Sequence, residues 1–555
     1  NIRKIHLVMA KNSIEFKLFA PRNSEAKLLG TFSNWDEIKM LKDEHTGYFQ
    51  VSIPLEDGIY RYKFFVKSQS PSLLEQPWQY VPDPYSTCID KTTLSTVIRI
   101  KNGSRLINND EYRWLYDSIR LPDNSDLIIY EFLVADFIPQ GKFIDAIAKL
   151  DYLVEIGVNA LELMPVHDHK NKDWGYLTRN YFALDSTYGS SEELKHFIDQ
   201  CHSKGIRIIL DCVFNHSDAD CPLHLIDREY WYYKDKHHPE DLVNHWINPT
   251  LTYIGDVIKY WIKEYHIDGI RFDALKQLDN EKALKHFDDI CKQTIKDEKP
   301  FITVGEYVPD SPQIVKPQGP LDSVWRASFK NELVPQLIIK ELYEVEKIEL
   351  AVDCKQQGYS TSANVINYLS SHDNERLMRI LGDCHIFDEP AFRLALIAQT
   401  LLLTAVGIPM MYMGSEFAEY KLLDREDPNF TKNSHEPHWS LATIGKTKHF
   451  FDCTKLLTSL RKRSKAVRSD NIDLFHRHWA SKIAAYSRWC DNERVIVVTC
   501  LSEKDRSQHY IPNFPTGKYH EIINDSNIEV TDDDNGYTLD LMKNDVKVFE
   551  LKIGK

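Results

Sequence analysis

No apolar run in the 555 residues approaches the roughly 18 needed to span a bilayer. The most apolar stretch, Leu394 to Met413, is interrupted by Gln399, Thr400 and Gly407-Ile408-Pro409, which fits a buried helix followed by a strand. The ten cysteines form neither a CxxC pair nor the rhythm of a disulfide framework, so they read as reduced thiols. Basic charge is in deficit: 82 acidic against 68 basic residues give a net charge of -14. That balance disfavours a nucleic-acid binder and points to a neutral or small partner. The chain shows no internal repeat and no low-complexity segment, and the acidic cluster Asp532-Asp533-Asp534 reads as a solvated turn. Its start, Asn1-Ile2-Arg3-Lys4-Ile5-His6, has no apolar signal core. Together these absences predict a cytoplasmic protein, monomer or dimer, with neither membrane nor nucleic acid as partner.

What is present is the composition of a large globular chain, 43% hydrophobic and 27% charged. At roughly 150 residues per domain, its length corresponds to about three to four domains. Residues 13 to 66 alternate short β-rich runs (Ile14 to Phe19, Ala26 to Leu29, Phe49 to Ile53, Tyr60 to Val66) with turn signals such as Glu56-Asp57-Gly58. This predicts an antiparallel β-sandwich over 1–105. From Leu127 apolar strands alternate with amphipathic helices, the signature of right-handed βαβ units and a parallel sheet. Strands are expected at 127–132, 160–164, 206–211, 269–273, 301–306, 365–369 and 408–413, and the pattern blurs between 310 and 360. Room for eight strands selects an α/β fold of the (β/α)8 TIM-barrel type over 120–465, with a short insert at 217–247. The rival, an open dinucleotide-binding sheet, is weakened because no Gly-x-Gly-x-x-Gly turn follows the first strand. From about 470 short strands return, predicting a C-terminal antiparallel β-domain over 470–555.

In a parallel barrel the reacting groups come from the C-terminal ends of the strands, which share one face. Four acids sit there: Asp211, Asp273, Glu306 and Asp373. Each alone is as readily the N-cap of the next helix, but four on one rim point to a site. A rim of carboxylates without a Cys/His cluster suits metal-assisted hydrolysis or glycoside hydrolysis, and His216 and His372 serve either. Arg271, two residues before Asp273 and so on the same side of the strand, favours the second. A guanidinium there is expected to hold Asp273 ionised, as a nucleophilic carboxylate requires.

Four segments carry a resemblance: Asp211-Cys212-Val213-Phe214-Asn215-His216, Gly269-Ile270-Arg271-Phe272-Asp273-Ala274, Gly305-Glu306 and His372-Asp373-Asn374. In this order they resemble the signature segments of the α-amylase family of retaining glycoside hydrolases. Trp174-Gly175-Tyr176 and the run Gly407 to Glu416 add to the likeness, which covers about residues 125 to 500. Phe19-Ala20-Pro21, Gly30 to Asp36, Tyr60 to Phe64 and Pro82 to Tyr85 are similar to the immunoglobulin-like module that precedes the barrel in branching and debranching members. That likeness makes exposed aromatics such as Trp35 candidates for gripping α-glucan.

The resemblance implies a trio of catalytic residues. Asp273 is the nucleophile, Glu306 the acid and base, and Asp373 the third carboxylate that binds sugar hydroxyls. It implies that Tyr176, Asp211, His216, Arg271 and His372 bind or orient the substrate, with Lys276 at the acceptor side. Asn215 matches a calcium ligand of many α-amylases, although the short insert weakens the case for bound calcium, and no cofactor is otherwise expected. After Asp273 the chain reads Ala274-Leu275-Lys276-Gln277 where many relatives carry Lys-His. The function implied first is an α-amylase-type hydrolase cutting internal α-1,4 bonds of starch, glycogen or maltooligosaccharides. Branching or other transglycosylation and α-1,6 debranching use the same trio. A non-catalytic glucan-binding scaffold predicts loss of a catalytic carboxylate, and all three are present.

Overall fold

The computed structural model describes residues 13–170, 174–233, 247–278, 280–295, 299–339, 344–423, 436–531 and 535–552. The start of the chain, Asp532-Asp533-Asp534 and much of the 217–247 insert lie outside the described residues. The first β-rich region forms two antiparallel sheets. One pairs Ser13–Phe19 with Tyr48–Pro54, and the other is built around Gly58–Lys67, flanked by Ala26–Gly30 and Ser95–Lys101. Alternate residues of these strands, among them Phe16, Leu18, Phe49, Tyr62, Phe64 and Val66, fill a shared core.

At the centre eight parallel strands close into a barrel: Ile129–Phe132, Ala160–Leu163, Arg207–Cys212, Gly269–Phe272, Ile302–Gly305, Ser323–Arg326, Val365–Tyr368 and Ile408–Tyr412. Seven fall where apolar runs predict them. The sixth, Ser323–Arg326, lies in the region where the sequence pattern blurs. The inward side chains stack in layers. Ile129, Ala160, Ile209, Ile302, Trp325, Ile366 and Ile408 belong to the apolar cluster of the barrel interior. Two residues further along the first five strands, the same pleat aims Glu131, Glu162, Asp211, Arg271 and Val304 toward the open end. The barrel thus changes from hydrocarbon to charge within one pleat repeat, at the end where the loops converge.

The helices sit outside the strands. Ser191–Ser203 begins with a capping box in which the Ser190 hydroxyl accepts from the Glu193 N–H. Asn248–Tyr265 and Glu281–Ile295 bury Tyr253, Val257, Trp261, Phe287 and Cys291. After the last helix of the barrel, Gly445–Arg463, a six-stranded antiparallel sheet and a separate two-stranded pair close the chain.

Candidate active site

Arg271 organises the mouth of the barrel. It is fully buried on the fourth strand, and its Nη1 donates to both carboxylate oxygens of Asp211 (2.8 and 2.7 Å) and to Asp273 Oδ1 (2.8 Å). Its Nη2 lies 3.0 Å from Glu306 Oε2. A single guanidinium therefore gathers three of the four rim acids. The Trp325 indole stacks against it, 4.3 Å from ring centroid to Cζ. Burial opposes the Arg271 charge, but Asp211 and Glu306 outweigh it and push its pKa above the ordinary value.

Shared among three carboxyls, Arg271 does not hold Asp273 at an ordinary carboxylate pKa, contrary to the expectation from their spacing. Burial, aided by Asp211 and Glu306 and opposed by Arg271, pushes Asp273 up to about 7. Burial raises Asp211 in the same way, against the pull of Arg271 and His372. Between nucleophile strand and next helix the chain turns sharply. Ala274 adopts φ 44°, in the left-handed region, and its N–H donates to Glu306 Oε2 at 2.9 Å. The turn thus joins the ends of the fourth and fifth strands through Glu306.

The opposite wall is built around His372. Its Nδ1 lies 2.5 Å from Glu131 Oε1, its backbone N–H donates to Glu131 Oε2 (3.2 Å), and its Nε2 faces Asp373 Oδ2 at 3.1 Å. Tyr176 stacks on the imidazole, with centroids 5.0 Å apart and planes at 19°, and donates its hydroxyl to Asp211 Oδ2 at 2.7 Å. Gly175, at φ 98°, makes this placement work: a Cβ there would lie 2.5 Å from the Pro165 carbonyl oxygen. Burial disfavours the His372 cation, yet Glu131 and Asp373 prevail and raise its pKa to about 10.

The structure thus brings Asp211, Tyr176, Arg271, Asp273, Glu306, His372 and Asp373 to one mouth. His216 follows the third strand half-buried, and its carbonyl accepts from the Tyr181 hydroxyl (2.9 Å). Lys276 lies exposed on the short helix Leu275–Leu278 just after the nucleophile turn. Asn215 is buried, and its Nδ2 donates to Gln277 Oε1 (2.9 Å). Its Oδ1, an oxygen of the kind calcium takes, has no hydrogen-bond partner among the described residues. Calcium takes about six to eight oxygens. Among the described residues no group of three or more His, Cys, Asp or Glu side chains is placed to hold a metal.

Sequence reasoning missed Glu131, Glu162 and Trp325. The first two announce themselves only as single acids inside apolar strands, Ile129-Tyr130-Glu131-Phe132 and Ala160-Leu161-Glu162-Leu163. Trp325 sits in the strand that the pattern did not show.

A closed parallel barrel whose C-terminal rim gathers carboxylates around one arginine is the arrangement expected of a carbohydrate-cleaving site. Comparison with known proteins gives the family. The alpha amylase catalytic domain matches residues 122–224 and 224–449, and carbohydrate-binding module 48, the isoamylase N-terminal domain, matches 5–86. The chain belongs to the alpha-amylase family and is an enzyme acting on glucans. Among curated relatives, the malto-oligosyltrehalose trehalohydrolase of Saccharolobus solfataricus is 25% identical, over 77% of this chain and 78% of that protein. A 1,4-alpha-glucan branching enzyme of Bacillus cereus is 24% identical, over 95% of this chain and 86% of its own. Among solved structures, pullulanase from Bacillus acidopullulyticus superposes with a TM-score of 0.81 at 19% identity, covering 97% of this chain and 74% of that one. No helix among the described residues is long and apolar enough to cross a membrane.

Proposed function

We propose that the enzyme is a retaining glycoside hydrolase that cleaves internal α-1,4-glucosidic bonds of starch- or glycogen-like glucans through a covalent glycosyl-enzyme. Asp273 attacks the anomeric carbon while Glu306 protonates the departing glycosidic oxygen. Glu306 then takes a proton from the incoming water, which releases the sugar from Asp273. Asp373, Asp211, His372 and Tyr176 hold the ring being cleaved, and Lys276 and His216 line its approaches. The observation that supports this reading is the single Arg271 guanidinium touching Asp211 and Asp273 and lying 3.0 Å from Glu306. Two carboxyls held on one guanidinium support the assignment of Asp273 and Glu306 as the reacting pair, with the neighbouring acids as binders of sugar hydroxyls.

The N-terminal module adds a grip on the polymer. Phe65 stacks with Trp78 (4.8 Å) and Tyr80 (4.4 Å), Lys27 lies over Trp78, and Trp35 projects from its turn 41% exposed. Flat aromatic faces of this kind match sugar rings. A cytoplasmic location and glycogen-like stores complete the proposal. Transglycosylation, as in branching, is the second reading, favoured by the branching-enzyme relative that aligns over 95% of this chain.

Incubation of the protein with amylose, following reducing ends and iodine colour together, tests both. Hydrolysis raises reducing ends as colour falls. Colour shifting with almost no new reducing ends favours branching instead. Proton NMR of the earliest product is expected to show the α-anomer, and a β-anomer would refute retention. Asp273→Ala is expected to lower kcat by about 10⁴-fold or more with an unchanged melting temperature.

A further inference from the structure

The barrel interior holds two glutamates that the reaction above does not use. Glu131 and Glu162 are cross-strand partners on the first and second strands, and both are about 1% exposed. They differ in their contacts. Neither oxygen of Glu162 has a hydrogen-bond partner among the described residues, and burial, reinforced by Glu131, pushes its carboxyl well above the ordinary range. Glu131 instead spends both oxygens on His372, one on the imidazole Nδ1 and one on the backbone N–H. The far nitrogen of the same ring faces Asp373, the acid proposed to bind the sugar.

We propose that Glu131 is a positioning residue: through His372, which it holds as a cation with a fixed ring plane, it aims Asp373 at the sugar ring. With a carboxyl at each ring nitrogen, the imidazole carries a proton on both. Two contacts to one carboxyl, through ring and backbone, remove its freedom to rotate. The inference rests on the reading of Asp373 as a substrate-binding acid.

The other groups facing His372 do not replace Glu131. Tyr176 covers its face as a phenol, and its hydroxyl reaches Nδ1 only at 3.5 Å, a longer contact than Glu131 makes there. The carboxyls of Asp211, Asp273 and Glu162 act on it electrostatically from the third, fourth and second strands. Trp325 touches both the imidazole and Arg271, so an indole packs against each of the two cations.

Glu131→Gln keeps the shape and removes the charge. Burial then acts on His372 without its main opponent, so the ring loses its proton at a lower pH. The variant is expected to show a new alkaline limb, kcat near pH 8 falling about 30-fold against wild type while near pH 5 it stays within about threefold. The change should appear in kcat more than in KM, and Glu131→Asp should restore the wild-type profile. Glu162→Gln, at a carboxyl that has no hydrogen-bond partner among the described residues and whose pKa burial pushes up, is expected to keep the wild-type profile. A loss in Glu131→Gln that is the same at every pH, or an alkaline limb produced equally by Glu162→Gln, would overturn the proposal. Should Glu131→Gln fail to fold, ¹⁵N NMR of wild-type histidines, with His372 assigned by difference from His372→Gln, still decides. Imidazolium shifts near pH 8 support the pair, and a neutral ring there refutes it. Wild-type protein inactive on every glucan would instead refute the proposed function, while the NMR result stands apart from it.

Discussion

Arg271 is asked to neutralise three carboxyls with one charge, and the shortfall has a measurable sign. Asp273 attacks only when deprotonated, and its pKa lies above the usual carboxylate range because burial and its acidic neighbours outweigh the arginine. The acid limb of kcat/KM is therefore expected to rise with pH through a value well above that of a free aspartate. A limb at the ordinary carboxylate value of about 4 would show that Arg271 prevails. Arg271→Lys retains a cation but cannot fork to three acceptors, so it is expected to lower kcat/KM by about 100-fold or more. His372 has the opposite dependence. Its folded pKa of about 10 exceeds the unfolded value of 6.5, so its contribution to stability is complete below 6.5 and lost as pH rises toward 10. The melting-temperature gap between wild type and His372→Gln should accordingly narrow between neutral and alkaline pH.

Among the elements, the sixth strand shows why a short segment matters. Ser323-Val324-Trp325-Arg326 contributes Trp325, which packs on Arg271, Tyr368 and His372 at once. Trp325→Ala is expected to cost about 3–5 kcal/mol in urea unfolding, and Trp325→Phe should fold with reduced kcat, having lost part of the surface that braces the guanidinium. The sequence concealed this strand because its ends are polar. Arg326 is satisfied by Gln357 and by the Leu350 and Ala351 carbonyls, contacts that no local pattern reveals. Strands with long apolar runs, such as Ile208-Ile209-Leu210 and Val495 to Val498, were legible from burial alone. Polar ones of the C-terminal domain, Arg506–Pro512 and Gly517–Glu521, were not, because so few of their side chains face a core. The site divides likewise. Asp211, Asp273, Glu306 and Asp373 could be found because topology puts strand ends on one rim. Glu131 could not, because its partner His372 lies 241 residues away.

Across the whole molecule, the N-terminal sandwich is locked to the barrel by a broken helix. Pro222–Trp231 loses helical geometry at Asp227 (φ -164°, ψ 85°), which turns the Ile226 carbonyl outward and the Ile226 side chain into the core of the sandwich. That carbonyl accepts from Asn23 Nδ2 (2.9 Å) and from the Gln69 N–H (3.0 Å), while Arg22 grips Asp227 with two donors at 2.6 and 2.5 Å. A plug of hydrocarbon ringed by these hydrogen bonds and the Arg22–Asp227 pair behaves as domain interior rather than as a sliding contact, so module and barrel are expected to melt in one calorimetric transition. Ile226→Ala removes the plug while leaving the backbone contacts, at a cost of about 2–5 kcal/mol. Ile226→Asp places a charge in the sandwich core and is expected to split the transition in two, the module melting first. Amylose turnover per folded barrel should fall less than stability does, because Ile226 belongs to the core of the sandwich. A single unsplit transition for Ile226→Asp at the wild-type temperature would mean that the polar ring alone holds the two bodies together.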